Sequence, residues 1–267
     1  MKKLIKSAIE TLTPVGMQPA IWRTYNRITN RGNRYECPLC GAHLKTLWPR
    51  GLQNPVLAQY DIIGGGYREQ ASCPVCGSTE RERLVWLYVS HRTDLTRRPA
   101  RLLHVAPESQ LGAVLRRLPH LDYLSADLYD ENVMVKMDIT GIDYPDASFD
   151  AIICNHVLEH VTDDALAMSE LFRILAPGGW AILQVPLSEK IHSSIEDTSI
   201  VTPEDRARVF GQEDHVRIYA KVDYLSRLQS VGFQVMHFLW WEEGPEFGNP
   251  DNRYGLMPRE ILFVAQK

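Results

Sequence analysis

Two pairs of cysteines carry the clearest chemical signal in the sequence. Cys37 and Cys40 form one Cys-Pro-x-Cys-Gly motif, and Cys73 and Cys76 form a second. Thiolates three positions apart can bind one metal ion from a single tight turn, and the glycine after each pair permits the positive φ that such a turn often requires. Two such turns supply the four ligands of a closed tetrahedral site, which is the pattern of structural zinc. We therefore predict one zinc ion bound by these four cysteines.

Two other interpretations of these cysteines are open. The pairs could form two disulfides, but the N-terminal sequence contains no secretory signal to indicate an oxidising compartment, so we expect a cytoplasmic protein. A redox Cys-x-x-Cys is the second alternative, although that motif usually occurs once and begins a helix after a strand. The doubling of the motif favours the zinc site over both.

The cysteine pairs lie in a segment that is poor in apolar periodicity. Residues 35–78 contain Gly64-Gly65-Gly66 and several turn signals, and a segment this small needs a metal ion to fold stably. We predict a zinc ribbon with short strands, preceded by an amphipathic helix over residues 2–12. Residues 80–89 predict a helix that is buried on more than one side and connects this region to the rest of the chain.

A second group of polar residues lies where predicted strands end. Asp127 and the pair Asn155 and His156 each follow an apolar strand, and Asp138 precedes a turn. Ligands of parallel sheets bind beyond the carboxyl ends of the strands, and an acid there can accept both hydroxyls of a nucleoside ribose. Asp127 is the candidate for that role, and Asp138 could accept from an adenine amino group. A turn or helix-cap role for Asp127 is the alternative.

The stretch 209–219 concentrates an acid, an imidazole, a guanidinium and a phenol in one predicted loop. His215 lies in this loop, and an unperturbed imidazole has a pKa of about 6.5, which suits proton transfer at neutral pH. His215 is therefore a candidate general base, and a polar surface loop is the alternative. We expect His160 to pack at the start of a helix, and Cys154, which ends a buried strand, to be a core residue.

Apolar strands alternate with helices from residue 101 onward. The predicted strands are 101–106, 123–126, 149–154, 180–186, 233–240 and 260–265, and the predicted helices are 109–118, 163–175 and 222–230. Such alternation predicts a parallel sheet that is covered by helices on both faces. The strand ends named above would then lie along one edge of this sheet.

Charge divides the chain into two parts. Residues 1–100 contain 15 Lys and Arg against 7 Asp and Glu, whereas residues 101–267 contain 14 against 26, within a net charge of -4. This asymmetry suggests two modules, which we place at residues 1–92 and 100–267. The basic half could contact nucleic acid or a membrane, but its scattered charges favour a solvated surface. No apolar run is long enough to predict a membrane-spanning helix.

The central run of the second module consists of residues 149–161 (FDAIICNHVLEHV) and 171–180 (LFRILAPGGW). These two stretches resemble class I S-adenosylmethionine-dependent methyltransferases. The resemblance covers roughly residues 100–240 and implies an α/β, Rossmann-like sheet of seven strands whose last strand is antiparallel. It also implies that Asn155 and His156 border the methyl-transfer site, which makes His156 a second candidate catalytic residue. The implied S-adenosylmethionine contacts are His104, Ala106, Glu108, Asp127, Asp138, Ile139, Asn155 and His156.

One stretch departs from the family's pattern. The first strand of the family normally ends in an acidic residue and a Gly-rich loop, whereas here His104 replaces the acid and Ala106-Pro107-Glu108 replaces the glycines. Because glycine lets the backbone approach a ligand closely, its loss could mean a weakened or inactive cofactor site. The alternative that we favour is a remodelled site in which Glu108 contacts the methionine ammonium of the cofactor. The whole chain resembles a bacterial subgroup with this same Ala-Pro-Glu turn.

Three functions are compatible with these features. The first is a methyltransferase that acts on a small-molecule or glycan-like acceptor, since methyl transfer needs mainly alignment of the reactants and exclusion of water. The second is an RNA methyltransferase whose zinc module and basic front half bind phosphates. The third is a non-catalytic, zinc-bearing binding protein on a degenerate methyltransferase fold, which the departure at His104 and Glu108 suggests.

Overall fold

Short antiparallel strands surround the cysteine pairs in the computed structural model, which describes residues 18–267. The elements of this N-terminal region are helix α1 (Gln18–Thr29), strands β1 (Arg31–Cys37), β2 (Ala42–Leu44) and β3 (Trp48–Arg50), helix α2 (Pro55–Gln59), strand β4 (Arg68–Ser72) and helix α3 (Glu80–Arg92). Strand β1 pairs with β2, and β3 pairs with β4. The predicted helix over residues 2–12 lies outside the described residues.

Helix α3 connects the N-terminal region to the rest of the chain. A capping box begins it, because the Thr79 side chain accepts from the backbone N–H of Glu82 while the Glu82 carboxylate accepts from the backbone N–H of Thr79. Its buried apolar side chains Leu84, Val85 and Leu87 pack against residues of the central sheet. The prediction of a connecting helix buried on more than one side is confirmed.

The guanidinium of Arg83 in α3 is fully buried. It donates hydrogen bonds of 2.7–3.0 Å to the carbonyl oxygens of Ala71, Ser78, Tyr254 and Gly255. A buried charge is tolerated when its donors are hydrogen-bonded. Arg83 therefore links the N-terminal region to the segment before the last strand through polar as well as apolar contacts.

A seven-stranded sheet forms the centre of residues 100–267. The strands of this part are β5 (Ala100–Val105), β6 (Leu121–Asp127), β7 (Val135–Lys136), β8 (Phe149–Asn155), β9 (Leu175–Gln184), β10 (Leu187–Ser188), β11 (Ile195–Glu196), β12 (Arg217–Ala220), β13 (Gln234–Phe238) and β14 (Leu262–Gln266). The order in the sheet is β13-β14-β9-β8-β5-β6-β7, and β10, β12 and β11 form a separate small sheet. Strand β14 runs antiparallel to both of its neighbours, whereas β9, β8, β5, β6 and β7 pair in parallel. The predicted α/β, Rossmann-like fold with an antiparallel last strand is confirmed.

Helices cover both faces of this sheet. They are α3 and α4 (Ser109–Leu115) on one face, and α5 (Asp164–Ile174) and α7 (Lys221–Ser230) on the other. Helix α6 (Pro203–Phe210) packs against α2 instead, and a 3₁₀ turn (Leu158–His160) follows β8. Side chains of a strand alternate between faces, so Ile152 belongs to the core under α5 and α7 while Ile153 belongs to the core under α3 and α4. Cys154 is fully buried in the first of these cores, as predicted.

Several element boundaries differ from the predictions by one to five residues, as α4 and β9 illustrate. Helix α4 ends at Leu115 rather than at residue 118. Strand β9 begins at Leu175 rather than at Trp180, because Leu175 pairs with Phe149 and a register shift follows before Trp180 pairs with Ala151. None of the helices within residues 18–267 combines the length and the apolar character that crossing a bilayer requires.

Candidate active site

The ends of β8, β5 and β6 lie side by side at one edge of the sheet, because these strands are parallel neighbours. Three predicted cofactor contacts follow them: Glu108 after β5, Asp127 at the end of β6 and Asn155 at the end of β8. This edge is where ligands bind in open α/β sheets. The topology therefore brings the predicted residues together.

Glu108 is the centre of a hydrogen-bond network at this edge. Its Oε1 atom accepts from Nδ2 of Asn155 at 3.0 Å, and its Oε2 atom lies 2.8 Å from Nε2 of His104. His104 is fully buried, and its Nδ1 atom lies 3.1 Å from the hydroxyl of Tyr123. Although burial raises the pKa of Glu108, the bonds from His104 and Asn155 lower it overall. The Glu108 side chain is therefore an oriented carboxylate at neutral pH.

The loop that replaces the glycines keeps a backbone conformation that glycine favours. Ala106 has a φ of 46°, and its N–H donates to the carbonyl oxygen of Ala126 at 2.8 Å. Left-handed conformations cost a residue with a Cβ atom roughly 1–2 kcal/mol. The chain thus retains the turn without glycine, and the turn directs Glu108 toward β8.

Helix α4, which follows this loop, receives its cap from another part of the chain. The N–H groups of Gln110 and Leu111 donate to Oε1 of Glu82 at 3.0 and 3.2 Å. These are donors of the first helical turn, which have no partner within a helix. The sequence does not reveal this role of Glu82, because its capping partners lie 28 residues or more along the chain. The local sequence indicates only the role of Glu82 in the capping box at Thr79.

Asp127 and Asp138 both make the turn contacts that were the alternative to ligand binding. Oδ1 of Asp127 accepts from the N–H groups of Tyr129 and Asp130 at 2.6 and 2.8 Å. Oδ1 of Asp138 accepts from the N–H and hydroxyl of Thr140, and these bonds lower the pKa of Asp138. All of these bonds use Oδ1, so a ribose or adenine contact would use Oδ2. The neighbouring Ile139, also a predicted contact, is buried.

A cavity of about 280 Å³ lies on the other side of the β8 end, between the N-terminal region and the central sheet. The lining includes Arg68 and Arg81 from the N-terminal region and His156, Glu159, His160 and His215 from the rest of the chain. The two predicted catalytic residues, His156 and His215, therefore line one space. Sequence analysis gave Arg81 and Glu159 no role.

His156 stands directly after β8 in a left-handed conformation. Its φ is 55°, and its N–H donates to the carbonyl oxygen of Gln184 at 2.7 Å. The Nδ1 atom lies 3.2 Å from Oε1 of Glu159, and the buried Nε2 atom has no hydrogen-bond partner among the described residues. Burial, with the nearby charge of Arg81, lowers the pKa of His156 well below its usual value. This imidazole is neutral and presents a free nitrogen.

Glu159, His160 and His215 form a cluster beside His156. Burial raises the pKa of Glu159 to about 8 and lowers the pKa of His215 to about 4. The rings of His160 and His215 pack edge to face with centroids 4.8 Å apart, and Nδ1 of His160 lies 3.1 Å from the carbonyl oxygen of Asp214. His160 was expected to pack at a helix start, but it lies in the 3₁₀ turn and lines the cavity.

The loop predicted at 209–219 contains a strand, and two of its polar side chains are structural. Arg217 lies in β12 and donates to the carbonyl oxygens of Leu158 and Thr162 at 3.0 and 2.8 Å. The buried hydroxyl of Tyr219 donates to Oδ2 of Asp164 at 2.6 Å. The expectation of one polar loop was wrong here, because pairing of β12 with β10 and β11 buries both side chains. They fix the turn that carries Glu159 and His160.

The four cysteines of the two motifs converge in the N-terminal region. Their sulfur atoms all lie within 4.8 Å of one another, with Cys37 to Cys76 at 3.7 Å and Cys40 to Cys73 at 3.8 Å. Zinc–sulfur bonds of about 2.3 Å in a tetrahedron place sulfur atoms about 3.8 Å apart. These separations exceed the roughly 2.05 Å of a disulfide bond. The donor set therefore fits a zinc ion.

Comparison with known proteins identifies the second module. Residues 97–237, more than half of the chain, match the family model described as a methyltransferase domain. The chain belongs to this methyltransferase family. The predicted resemblance to class I S-adenosylmethionine-dependent methyltransferases is thereby confirmed, and the cysteine-rich region is an addition to the family domain.

Individual relatives of this methyltransferase are distant. It is 28% identical over 151 residues to a protein of Mycolicibacterium smegmatis named a probable S-adenosylmethionine-dependent methyltransferase, with 54% of each chain covered. It is 25% identical over 99 residues to a malonyl-[acyl-carrier protein] O-methyltransferase of Erwinia billingiae, with 36% of this chain and 39% of that protein covered. The chain thus spans about half or less of the length of these curated relatives.

Among solved structures, the methyltransferase is similar to an S-adenosylmethionine-dependent methyltransferase from Mesorhizobium loti. The two share 15% identity with a TM-score of 0.42, and the match covers 64% of this chain and 92% of the other.

Proposed function

We propose that the protein transfers a methyl group from S-adenosylmethionine to a small-molecule or glycan-like acceptor held in the 280 Å³ cavity. One observation carries this proposal. Asn155 and His156 are consecutive, yet Asn155 contacts Glu108 at the cofactor edge while His156 lines the cavity. Cofactor and acceptor would therefore meet at the end of β8, which is the alignment that methyl transfer requires.

The residues at the cofactor edge fit S-adenosylmethionine, which supplies an electrophilic methyl group when bound. Glu108 offers a carboxylate for the methionine ammonium, and Asn155 has a buried Oδ1 atom without a partner among the described residues. Asp127 would accept from the ribose hydroxyls, and Asp138 from the adenine amino group. Ile139 offers a buried apolar wall, while His104 and Ala106 orient Glu108 and its loop.

His156 and His215 are the proposed catalytic residues. His156 would accept the proton of the acceptor at Nε2 in the tautomer whose Nδ1–H donates to ionised Glu159, a contact that also fixes the orientation of the ring. His215 is neutral at physiological pH and would contact the acceptor from the loop that precedes β12. Arg81 donates to the carbonyl oxygen of Gly64 at 2.7 Å, and its buried Nε has no partner among the described residues, so it could hold an acceptor oxygen.

The size of the cavity supports the class of acceptor. Binding pockets for small ligands typically measure about 300–1,000 Å³, and the cavity of about 280 Å³ is slightly smaller than this range. A small molecule or a terminal sugar would fill such a space. We further propose that Cys37, Cys40, Cys73 and Cys76 hold one structural zinc ion that stabilises the N-terminal wall of the cavity.

Isothermal titration calorimetry with S-adenosylmethionine and its demethylated product is the first test. We expect saturable binding of both at one site per chain, with weaker binding by Glu108→Gln. A screen of sugar and small-molecule acceptors for release of the demethylated product then identifies the substrate. Absence of cofactor binding would overturn the proposal and favour the non-catalytic alternative.

A further inference from the structure

Three side chains beside His156 form a set of metal ligands that is separate from the four cysteines. One ligand atom each from Glu159, His160 and His215 lies within 4.8 Å of the other two. Ligand atoms of one tetrahedral ion with bonds of about 2.1 Å lie about 3.4 Å apart. Small side-chain rotations would therefore bring all three onto a single ion.

The buried carboxylate of Glu159 supplies a second and independent observation. Its side chain is 2% exposed, and its Oε2 atom has no hydrogen-bond partner among the described residues. A buried oxygen without a partner is costly, and Glu159 is one of the residues that line the cavity. A bound cation would satisfy the oxygen that the protein leaves unpaired.

The backbone around the cluster is fixed by contacts that do not involve the three ligand side chains. The N–H of Val216 donates to the carbonyl oxygen of Glu159 at 2.9 Å, which ties the 3₁₀ turn to the segment of His215. Arg217 adds hydrogen bonds to the carbonyl oxygens of Leu158 and Thr162, on either side of the turn. Such support holds ligand-bearing segments in place before a metal ion arrives.

We propose that Glu159, His160 and His215 bind one divalent transition-metal ion at the wall of the cavity. Two imidazoles and one carboxylate suit zinc, manganese, iron or cobalt rather than the oxygen-only sites of calcium and magnesium. Three protein ligands leave coordination positions open toward the cavity.

If the proposed function is right, an oxygen of the acceptor would occupy an open position of this ion. The ion would favour the deprotonated form of a bound hydroxyl and so assist the proton transfer that the proposed function already requires. His215 would then act as a ligand and hold the acceptor through the ion. This extension rests on the proposed function, whereas metal binding itself does not.

Manganese binding to the full, zinc-loaded chain tests the site. Manganese(II) has a spectroscopic signal that changes on binding, and it does not displace zinc from thiolates because it binds such sites more weakly. We expect one manganese ion per chain in the wild type. Loss of one ligand in Glu159→Gln, His160→Gln or His215→Gln should weaken binding by at least about 10-fold, since even supporting residues cost 10–100-fold.

His192→Gln is the matched control, because His192 is exposed and does not line the cavity. It should bind manganese as the wild type does. His160 is one-third exposed, so its variant tests the site even if a buried variant fails to fold. Stoichiometric binding in the wild type that is lost in the three variants supports the site. The proposal is overturned if His160→Gln binds manganese with wild-type affinity. It is also overturned if the wild type binds neither manganese nor zinc beyond the first equivalent of zinc. Calorimetry with S-adenosylmethionine tests the proposed function separately.

Discussion

Nε2 of His104 lies 2.8 Å from Oε2 of Glu108, four residues further along the chain. The family's usual acid at the first strand is a histidine here, and the carboxylate comes from the following loop instead. The pair occupies the same sheet edge as Asn155. This arrangement is the one that the proposed remodelled cofactor site would use, with Glu108 binding the cofactor in place of the Gly-rich loop.

Glu108→Gln should reduce the dependence of stability on pH. The pKa of Glu108 is lowered in the folded state, so its ionisation stabilises the fold at neutral pH. This contribution should be lost as the pH falls below about 4.3, the usual glutamate value, and through the lower folded value. Urea denaturation at pH 7 and at steps down to about pH 3.5 should show a smaller loss for the variant. An equal loss of stability in the wild type and the variant would contradict a stabilising role of the Glu108 hydrogen-bond network.

Asp127→Ala should weaken binding of S-adenosylmethionine. Loss of a charged acceptor to a ribose costs on the order of 1.5–3 kcal/mol, which corresponds to roughly a 10–150-fold rise in Kd. Asp122→Ala, an exposed position of the same strand, is the control and should leave Kd unchanged. Asp127→Asn keeps an oxygen for the turn contacts, so weaker binding by this variant would assign the loss to the ribose contact. An unaltered Kd in both Asp127 variants would exclude the ribose role.

Ala106→Gly should be at least as stable as the wild type, because glycine adopts a φ of 46° without the cost imposed by Cβ. Ala106→Val should lose at least about 1–2 kcal/mol, since a β-branched residue is strongly disfavoured there. Ala113→Val on the exposed face of α4 is the comparison and should cost less than about 0.7 kcal/mol. Chemical denaturation measures all three. A tolerated valine at 106 would show that the loop does not need this backbone conformation.

Cys40→Ser should lower the zinc content below one per chain and lower the melting temperature, because a closed zinc site contributes folding free energy. Elemental analysis of protein purified without chelator, together with thermal denaturation, provides the measurement. Cys154→Ala should keep its zinc, since Cys154 is buried in the core away from the cluster. A serine variant with full zinc and an unchanged melting temperature would rule out the four-cysteine site.

His156→Gln should reduce turnover by about 10²–10⁴-fold, the usual contribution of a general base, while leaving the Kd for S-adenosylmethionine within a few-fold. His215→Gln should also reduce turnover, whereas His192→Gln should not. The measurement is product release with the acceptor identified by the screen. If His156→Gln turns over at the wild-type rate, the acceptor proton leaves by another route.

Much of the fold and part of the candidate site follow from local sequence patterns. The cysteine pairs, the apolar strands and the polar residues after them are each encoded within a few positions, so Asn155 and Glu108 could be placed at one sheet edge in advance. The topology then confirms their proximity. Local spacing is sufficient to place a residue when its motif lies within or directly after the strand or turn that positions it.

Residues whose partners are distant in sequence could not be assigned in this way. The local sequence places Arg217 in one polar loop with His215, but its partners Leu158 and Thr162 lie more than 50 residues earlier and make Arg217 structural. Arg81 enters the cavity only because α3 packs against the central sheet. Burial of the cluster around Glu159 likewise depends on tertiary contacts, which sequence periodicity does not encode.

The carboxylate of Glu82 would join the two proposed binding equilibria, those of zinc and of S-adenosylmethionine. One oxygen accepts from Thr79 at the start of α3, directly after the second cysteine pair, and the other accepts from Gln110 and Leu111 behind the cofactor loop. Any ligand that orders one end of this bridge lowers the entropy that the other ligand must lose on binding. Zinc and S-adenosylmethionine should therefore show positive cooperativity across the bridge, and thermodynamic reciprocity requires each to raise the affinity of the other by the same factor.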